Sequence, residues 1–176
     1  MGKSKAADRR MLAVQPDDHV TGVPKAAMTV IAYCDFECPY CGRAYHVVTR
    51  LMGRFGDRLQ FVFRHFPLRE KHPFAEAAAE FAEAAAAQGR FWPMHNFLFA
   101  YQDSRDAEDV FNFAAKIGLD VDRMRQEITD RVYADRVQRD VEGGRRLGVD
   151  GTPTFFVNNE RYTDEDRIEH LIQRAA

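Results

Sequence analysis

The cysteines of this chain are concentrated in one short stretch. All three, Cys34, Cys38 and Cys41, lie within eight positions, and the last two belong to a Cys-Pro-Tyr-Cys sequence. Two thiols three residues apart on a helix share one face and come within the reach of a disulfide bond. The pair therefore predicts two-electron dithiol–disulfide exchange, in which Cys38 attacks and Cys41 resolves, with no cofactor and no metal.

The residues around this pair predict a strand that turns directly into a helix. Pro39 favours the first helical position, and apolar residues recur every three or four positions to about Met52, so the predicted helix runs over 39–52 with Cys38 as its N-cap. The β-branched, apolar run at 28–33 predicts a buried strand. We therefore expect Cys38 to be exposed, with its pKa lowered by the helix N-terminus, and Cys41 to face inward.

Composition is typical of one globular domain. Hydrophobic residues make up 45% of the 176 residues and the formal net charge is −2, which does not indicate nucleic-acid binding. The apolar run at 11–14 is too short for a signal peptide or a membrane span. These observations predict a cytoplasmic protein without a membrane span. A periplasmic or other extracytoplasmic location is the alternative if an export signal has been removed.

The remaining pattern predicts an α/β order of elements. A strand over 59–66 completes a β-α-β unit, several helices follow, and a strand at 154–157 enters a hairpin turn at Asn158-Asn159. A helix over 163–173 closes the chain. We predict a flexible tail (1–17), a first half of the main fold (18–70), a helical insertion (71–148) and a second half (149–176).

Two motifs together resemble the thioredoxin-fold oxidoreductases. They are Cys-Pro-Tyr-Cys at 38–41, after a strand, and Gly-Thr-Pro-Thr at 151–154, before a late strand. The helical insertion, together with phrases such as Asp-Phe-Glu-Cys at 35–38 and Phe-Arg-His-Phe-Pro-Leu at 63–68, resembles the DsbA-like branch from about residue 18 to the C-terminus. The resemblance implies a thioredoxin fold with a central mixed sheet.

The resemblance also implies roles for individual residues. Pro39 and Tyr40 would form the active-site dipeptide, Pro153 would be a cis proline beside the disulfide, and the backbone of Thr152 would pair with an extended substrate. Implied partners are protein or peptide thiols and disulfides, and a redox protein that recycles the dithiol. Disulfide donation is favoured slightly over reduction or isomerisation.

Two positions depart from the family pattern. Ala32 stands where members commonly carry a buried glutamate, and Cys34 stands where a small residue is usual. We expect Cys34 to be an inert buried thiol, with a third redox partner or a metal ligand as alternatives. We expect Asp35 and Glu37 to be solvated loop residues, because charged side chains are rarely buried unpaired.

Two functions of other classes compete with dithiol exchange. Cys34, Cys38 and Cys41 have a spacing that resembles the iron–sulfur signature of radical SAM enzymes, and three cysteines with a histidine could bind zinc. Against the first stand the short chain, the few later strands and Pro39, which suits a helix start. Against the second stands the lack of a second Cys-x-x-Cys pair.

Overall fold

The computed structural model describes residues 10–102 and 106–163, which form an α/β fold. The strands are β1 (His19–Gly22), β2 (Met28–Cys34), β3 (Leu59–His65), β4 (Thr154–Val157) and β5 (Glu160–Tyr162). The helices are α1 (Pro39–Phe55), α2 (Ala75–Ala86), α3 (Phe91–Ala100), α4 (Ala107–Lys116), α5 (Val121–Thr129) and α6 (Ala134–Arg146). Among these residues no helix is both long enough and apolar enough to cross a bilayer.

The strands form one mixed sheet in the order β1-β3-β2-β4-β5. β2 and β3 are parallel and are connected by α1, as the β-α-β pattern predicts. β1 pairs antiparallel with β3, and β4 pairs antiparallel with β2. Because β2 is central, the strand that precedes the cysteines lies directly beside the strand that follows residues 151–153.

Alternate residues of β2 supply two separate cores. Val30, Ala32 and Cys34 face the cluster that includes α1 to α5. Ile31 and Tyr33 face the opposite side, where they pack with residues such as Val141 of α6. This alternation follows from the two-residue repeat of a strand, and helices cover both faces of the sheet.

The five helices α2 to α6 lie between β3 and β4, as the sequence predicts. Gly143 and Gly144 lie inside α6, which continues to Arg146. A Cβ atom at Gly144 would lie 2.9 Å from the Phe66 ring and 3.0 Å from Tyr33. Glycine at 144 therefore lets α6 approach the sheet closely.

Both ends of the described chain bear on the predicted boundaries. Leu12 is buried, and Arg64 donates to the carbonyls of Met11 and Ala13 and to Asp18, so residues 11–13 pack on the core. Asn158 and Asn159 have φ values of 47° and 74°, which confirms the hairpin turn. The helix predicted over 163–173 lies outside the described residues apart from its first position, and the domain boundaries stay predictions.

Candidate active site

The cysteine pair lies at the start of α1. Cys38 is the N-cap with extended backbone (φ −68°, ψ 119°), Pro39 takes the first helical position, and Cys41 follows within the first turn. Cys41 is 1% exposed, which confirms that it faces inward. Cys38 is only 3% exposed, so the prediction of an exposed thiol is wrong. Tyr40, in contrast, is 56% exposed beside it.

The loop at 151–153 covers Cys38. The Cys38 thiol donates to the carbonyl oxygen of Thr152, with 3.2 Å between sulfur and oxygen. The Thr152–Pro153 peptide bond is cis, Pro153 is buried, and the Thr154 hydroxyl donates to the carbonyl of Gly151 at 2.7 Å. The pairing of β4 with β2 brings this loop to the cysteines across 114 residues of sequence.

The acidity of the pair differs from the sequence prediction. The pKa of Cys38 is raised, first by its hydrogen bond with Cys41, then by burial, then by repulsion from negative charge on Cys41. Hydrogen bonds with Thr152 and with the Cys41 backbone act in the opposite direction but are weaker. The two sulfurs titrate as a pair, and loss of the second proton is disfavoured. The expected lowering of the Cys38 pKa is therefore wrong for the closed, reduced pair.

Cys34 lies beside Cys41 in the wall of one apolar cavity. The cavity lies between the sheet, α1 and α3, and its wall also includes Phe63, His95 and Phe99. The pKa of Cys41 is well above its usual value, first because of burial and second because of the neighbouring Cys34 thiol. Burial lowers the pKa of His95 to about 3, so this imidazole is neutral near pH 7. The third thiol therefore neighbours the inner sulfur of the pair.

Asp35 and Glu37 are bound into the protein, so the expectation of solvated carboxylates is wrong. Asp35 is buried; it accepts from the backbone N–H groups of Glu37 and Leu68, each at 2.8 Å, and lies 2.7 Å from Nδ1 of His72. The Glu37 carboxylate accepts from the backbone N–H of Phe74, immediately before α2. Both carboxylates therefore tie the active-site turn to the segment after β3.

Gln102 was not identified by the sequence analysis, because nothing in the sequence around it marks a role. Its Nε2 donates to the carbonyl of Phe36 at 2.8 Å and to that of Cys38 at 3.0 Å. A Cβ atom at Gly42 would lie 2.1 Å from Gln102 Oε1. Glycine at 42 therefore leaves room for the side chain that holds the active-site turn.

The described residues include one compact group of metal-binding side chains, and it contains none of the cysteines. The group consists of His19, His65 and Glu83, with both histidine Nε2 atoms 2.7–2.8 Å from Glu83 Oε1. Nδ1 of His65 is buried without a hydrogen-bond partner, whereas a metal-bound histidine normally donates from its second nitrogen. The Arg136 guanidinium also lies 3.9 Å from Glu83. The group fits a hydrogen-bonded carboxylate better than a metal ion.

Comparison with known proteins agrees with this architecture. A family model described as thioredoxin matches residues 14–174. The Na(+)/H(+) antiporter NhaA 3 of Salinispora tropica is 45% identical over 172 residues, which is 97% of this chain and 26% of that protein. The chain thus spans about a quarter of the length of this curated relative.

Solved structures share the fold over nearly their whole length. The thioredoxin-like oxidoreductase of Silicibacter pomeroyi superposes with a TM-score of 0.78 at 25% identity, covering 92% of this chain and 93% of that one. Alpha-DsbA1 of Wolbachia pipientis gives 0.80 at 22% identity, covering 95% and 94%. The chain belongs to the thioredoxin family and has the fold of the DsbA-like thiol–disulfide oxidoreductases.

Proposed function

We propose that this chain exchanges disulfides with protein or peptide substrates through Cys38 and Cys41. In the reducing direction, the Cys38 thiolate attacks a substrate disulfide, a mixed disulfide forms, and one substrate thiolate leaves. Cys41 then attacks the Cys38 sulfur, which releases the second substrate thiolate and leaves a Cys38–Cys41 disulfide. The substrate gains two electrons from the dithiol, and a separate redox protein then supplies two electrons that reduce the Cys38–Cys41 disulfide back to two thiols. Disulfide donation is the reverse sequence.

The observation that carries the proposal is the contact between Cys38 and the 151–153 loop. The Cys38 thiol reaches the Thr152 carbonyl at 3.2 Å, beside exposed Tyr40. Cys41 is instead 1% exposed and lines the apolar cavity between the sheet, α1 and α3. A substrate that approaches from the side of Tyr40 and Gly151 meets Cys38 first, which supports Cys38 as the attacking thiol and Cys41 as the resolving thiol.

The same contact supports a role for Thr152 in substrate binding. In the reduced protein the Cys38 S–H occupies the Thr152 carbonyl. Once Cys38 enters a disulfide it has no proton to donate, so the carbonyl becomes available to a substrate backbone N–H. Binding of an extended substrate beside Thr152 and Pro153 would thus be coupled to formation of the mixed disulfide.

Trapping experiments test the assignment of the two cysteines. Cys41→Ser should accumulate a mixed disulfide through Cys38 when mixed with a disulfide-bonded peptide, because the resolving thiol is missing. Cys38→Ser should trap no substrate under the same conditions, and Cys34→Ser is the matched control that should turn over normally. Peptide mapping that places the trapped substrate on Cys41 or Cys34 would refute the assignment.

A reductase is the second candidate, and the raised pKa of Cys38 favours it. A strong disulfide donor needs a stabilised reduced form, and each unit by which a thiolate pKa falls contributes about 1.4 kcal/mol to that stability. The closed pair shows the opposite shift. A reductase would have a potential nearer the roughly −270 mV of thioredoxin than the roughly −120 mV of DsbA. A reductase with a potential near that of thioredoxin should reduce insulin. Efficient oxidation of a reduced peptide would refute the reductase candidate. Reduction suits a cytoplasm and donation an extracytoplasmic compartment.

A further inference from the structure

One buried carboxylate joins the active-site turn to the segment after β3. Asp35 is 1% exposed, and both of its carboxylate oxygens are occupied. Oδ1 accepts from the Glu37 N–H at 2.8 Å. Oδ2 accepts from the Leu68 N–H at 2.8 Å and lies 2.7 Å from Nδ1 of His72. Three contacts therefore fix the position of a residue that lies only three positions before Cys38.

The backbone of the same residue contacts both members of the dithiol. The Asp35 N–H donates to Cys41 Sγ at 3.4 Å, and the Asp35 carbonyl accepts from the Cys38 N–H at 3.2 Å. An N–H directed at sulfur stabilises the thiolate more than the thiol. The orientation of the Asp35 backbone thus bears directly on how readily Cys41 loses its proton.

We infer that Asp35 and His72 form a positioning pair, in which the clamped carboxylate of Asp35 holds the Asp35 N–H on Cys41 and so promotes the resolving step. The inference rests on the proposed function. In that step Cys41 loses its proton to solvent, its thiolate attacks the Cys38 sulfur, the bond between Cys38 and the substrate sulfur breaks, and the substrate thiolate leaves. Asp35 does not touch the substrate in this scheme.

The groups around Cys41 show which part of Asp35 acts most directly on the Cys41 pKa. The titratable groups that face it are Cys34 on β2 and Cys38 on the active-site turn, with Tyr45 on α1 and His95 on α3 across the cavity. The Asp35 carboxylate is directed instead to Leu68 and His72. Its charge therefore acts on Cys41 less directly than its backbone N–H does.

Asp35→Asn separates positioning from charge. Both carboxylate oxygens accept from backbone N–H groups, so the amide NH2 of asparagine would face a donor and release one of those contacts. Loss of the clamp would weaken the N–H···S bond and disfavour the Cys41 thiolate. Loss of negative charge alone would favour that thiolate. The two explanations predict opposite shifts of the pH midpoint of resolution.

His72 provides a milder pair of variants. His72→Leu removes the side-chain partner of Asp35 but leaves both backbone donors. His72→Asn keeps a donor near the position of Nδ1, so it should restore the wild-type behaviour. Asp140→Asn is the matched control, because Asp140 is also a buried carboxylate that accepts from a backbone N–H, but its donor is His65 of β3 and not a residue of the active-site turn.

The test follows both steps of the reaction with Ellman's reagent in a Cys34→Ala background. Reduced protein releases one thionitrobenzoate when Cys38 reacts and a second when Cys41 resolves the mixed disulfide. We expect Asp35→Asn to slow the second release about three- to tenfold at neutral pH, the effect of one hydrogen bond, and to move its pH midpoint upward. His72→Leu should show a smaller shift of the same sign, and His72→Asn and Asp140→Asn none.

Two results would overturn the inference. One is an unchanged or lower pH midpoint in folded Asp35→Asn. The other, which stands even if Asp35→Asn does not fold, is an identical second step in His72→Leu and His72→Asn. Failure of the proposed function looks different, because the Cys34→Ala parent itself would then release no second thionitrobenzoate.

Discussion

The contact between Gly42 and Gln102 predicts a strong coupling between two substitutions. Gln102 donates to the carbonyls of Phe36 and Cys38, and a Cβ at Gly42 would lie 2.1 Å from its Oε1 and 2.9 Å from its Cδ. The glutamine side chain is flexible, so in Gly42→Ala it moves away instead of clashing. We therefore expect Gly42→Ala to break both hydrogen bonds.

The magnitude follows from two opposing effects. Two hydrogen bonds at about 1 kcal/mol each contribute about 2 kcal/mol, whereas alanine improves on glycine inside a helix by about 0.5–1 kcal/mol. Gly42→Ala should thus lower the free energy of unfolding by about 1–1.5 kcal/mol. In a Gln102→Ala background the same substitution should raise it by about 0.5–1 kcal/mol. The coupling energy is therefore about 2 kcal/mol.

Urea unfolding of the reduced protein measures the stability of wild type, Gly42→Ala, Gln102→Ala and the double variant, which together form a double-mutant cycle. Gly53→Ala is the control, because it lies in the same helix and its Cβ would meet no atom within 4 Å. That variant should be more stable than wild type. Additive effects of Gly42→Ala and Gln102→Ala would refute the reasoning, because they would mean that Gln102 does not occupy the space above Gly42.

Three further predictions concern the rest of the structure. Burial raises the pKa of Glu83, but hydrogen bonds from two histidines outweigh it and leave the pKa below its usual 4.5. Glu83 therefore contributes stability that is fully present above about pH 4.5 and is lost as the pH falls. The difference in unfolding free energy between wild type and Glu83→Gln should shrink as the pH is lowered in an acid titration. A difference that stays constant with pH would contradict this. Gly144→Ala should destabilise the protein by about 1–3 kcal/mol through overpacking. A Cβ atom at Gly143 would have only the Tyr33 hydroxyl nearby, at 3.7 Å, so Gly143→Ala should be neutral or stabilising in thermal unfolding. Equal effects of the two substitutions would contradict this. Cys34→Ala should retain turnover and lower the pH midpoint of Cys41 resolution, because Cys34 raises the pKa of Cys41; loss of most turnover would show that Cys34 takes part in the reaction.

Local patterns predicted the elements that carry the dithiol. Pro39 and the apolar spacing after it indicated α1, and the β-branched run before it indicated β2. The paired asparagines at 158 and 159 indicated the hairpin. In each case the deciding interactions lie within a few residues of one another, so the sequence itself contains them.

Long-range contacts decided what the sequence could not show. Cys38 is buried because a loop from 114 residues later covers it. Asp35 is buried because Leu68 and His72 supply its donors, and the active-site turn is held by Gln102. The acidity of Cys38 follows from its hydrogen bond with Cys41, its burial and its contact with Thr152, and not from the helix N-terminus alone.

The most direct test of the central claim is a redox titration of the wild-type chain in glutathione buffers, with alkylation of free thiols and peptide mapping. The account predicts one two-electron transition in which a Cys38–Cys41 disulfide forms while Cys34 remains a thiol. Absence of any intramolecular disulfide, or a disulfide that contains Cys34 in place of Cys38 or Cys41, would contradict it.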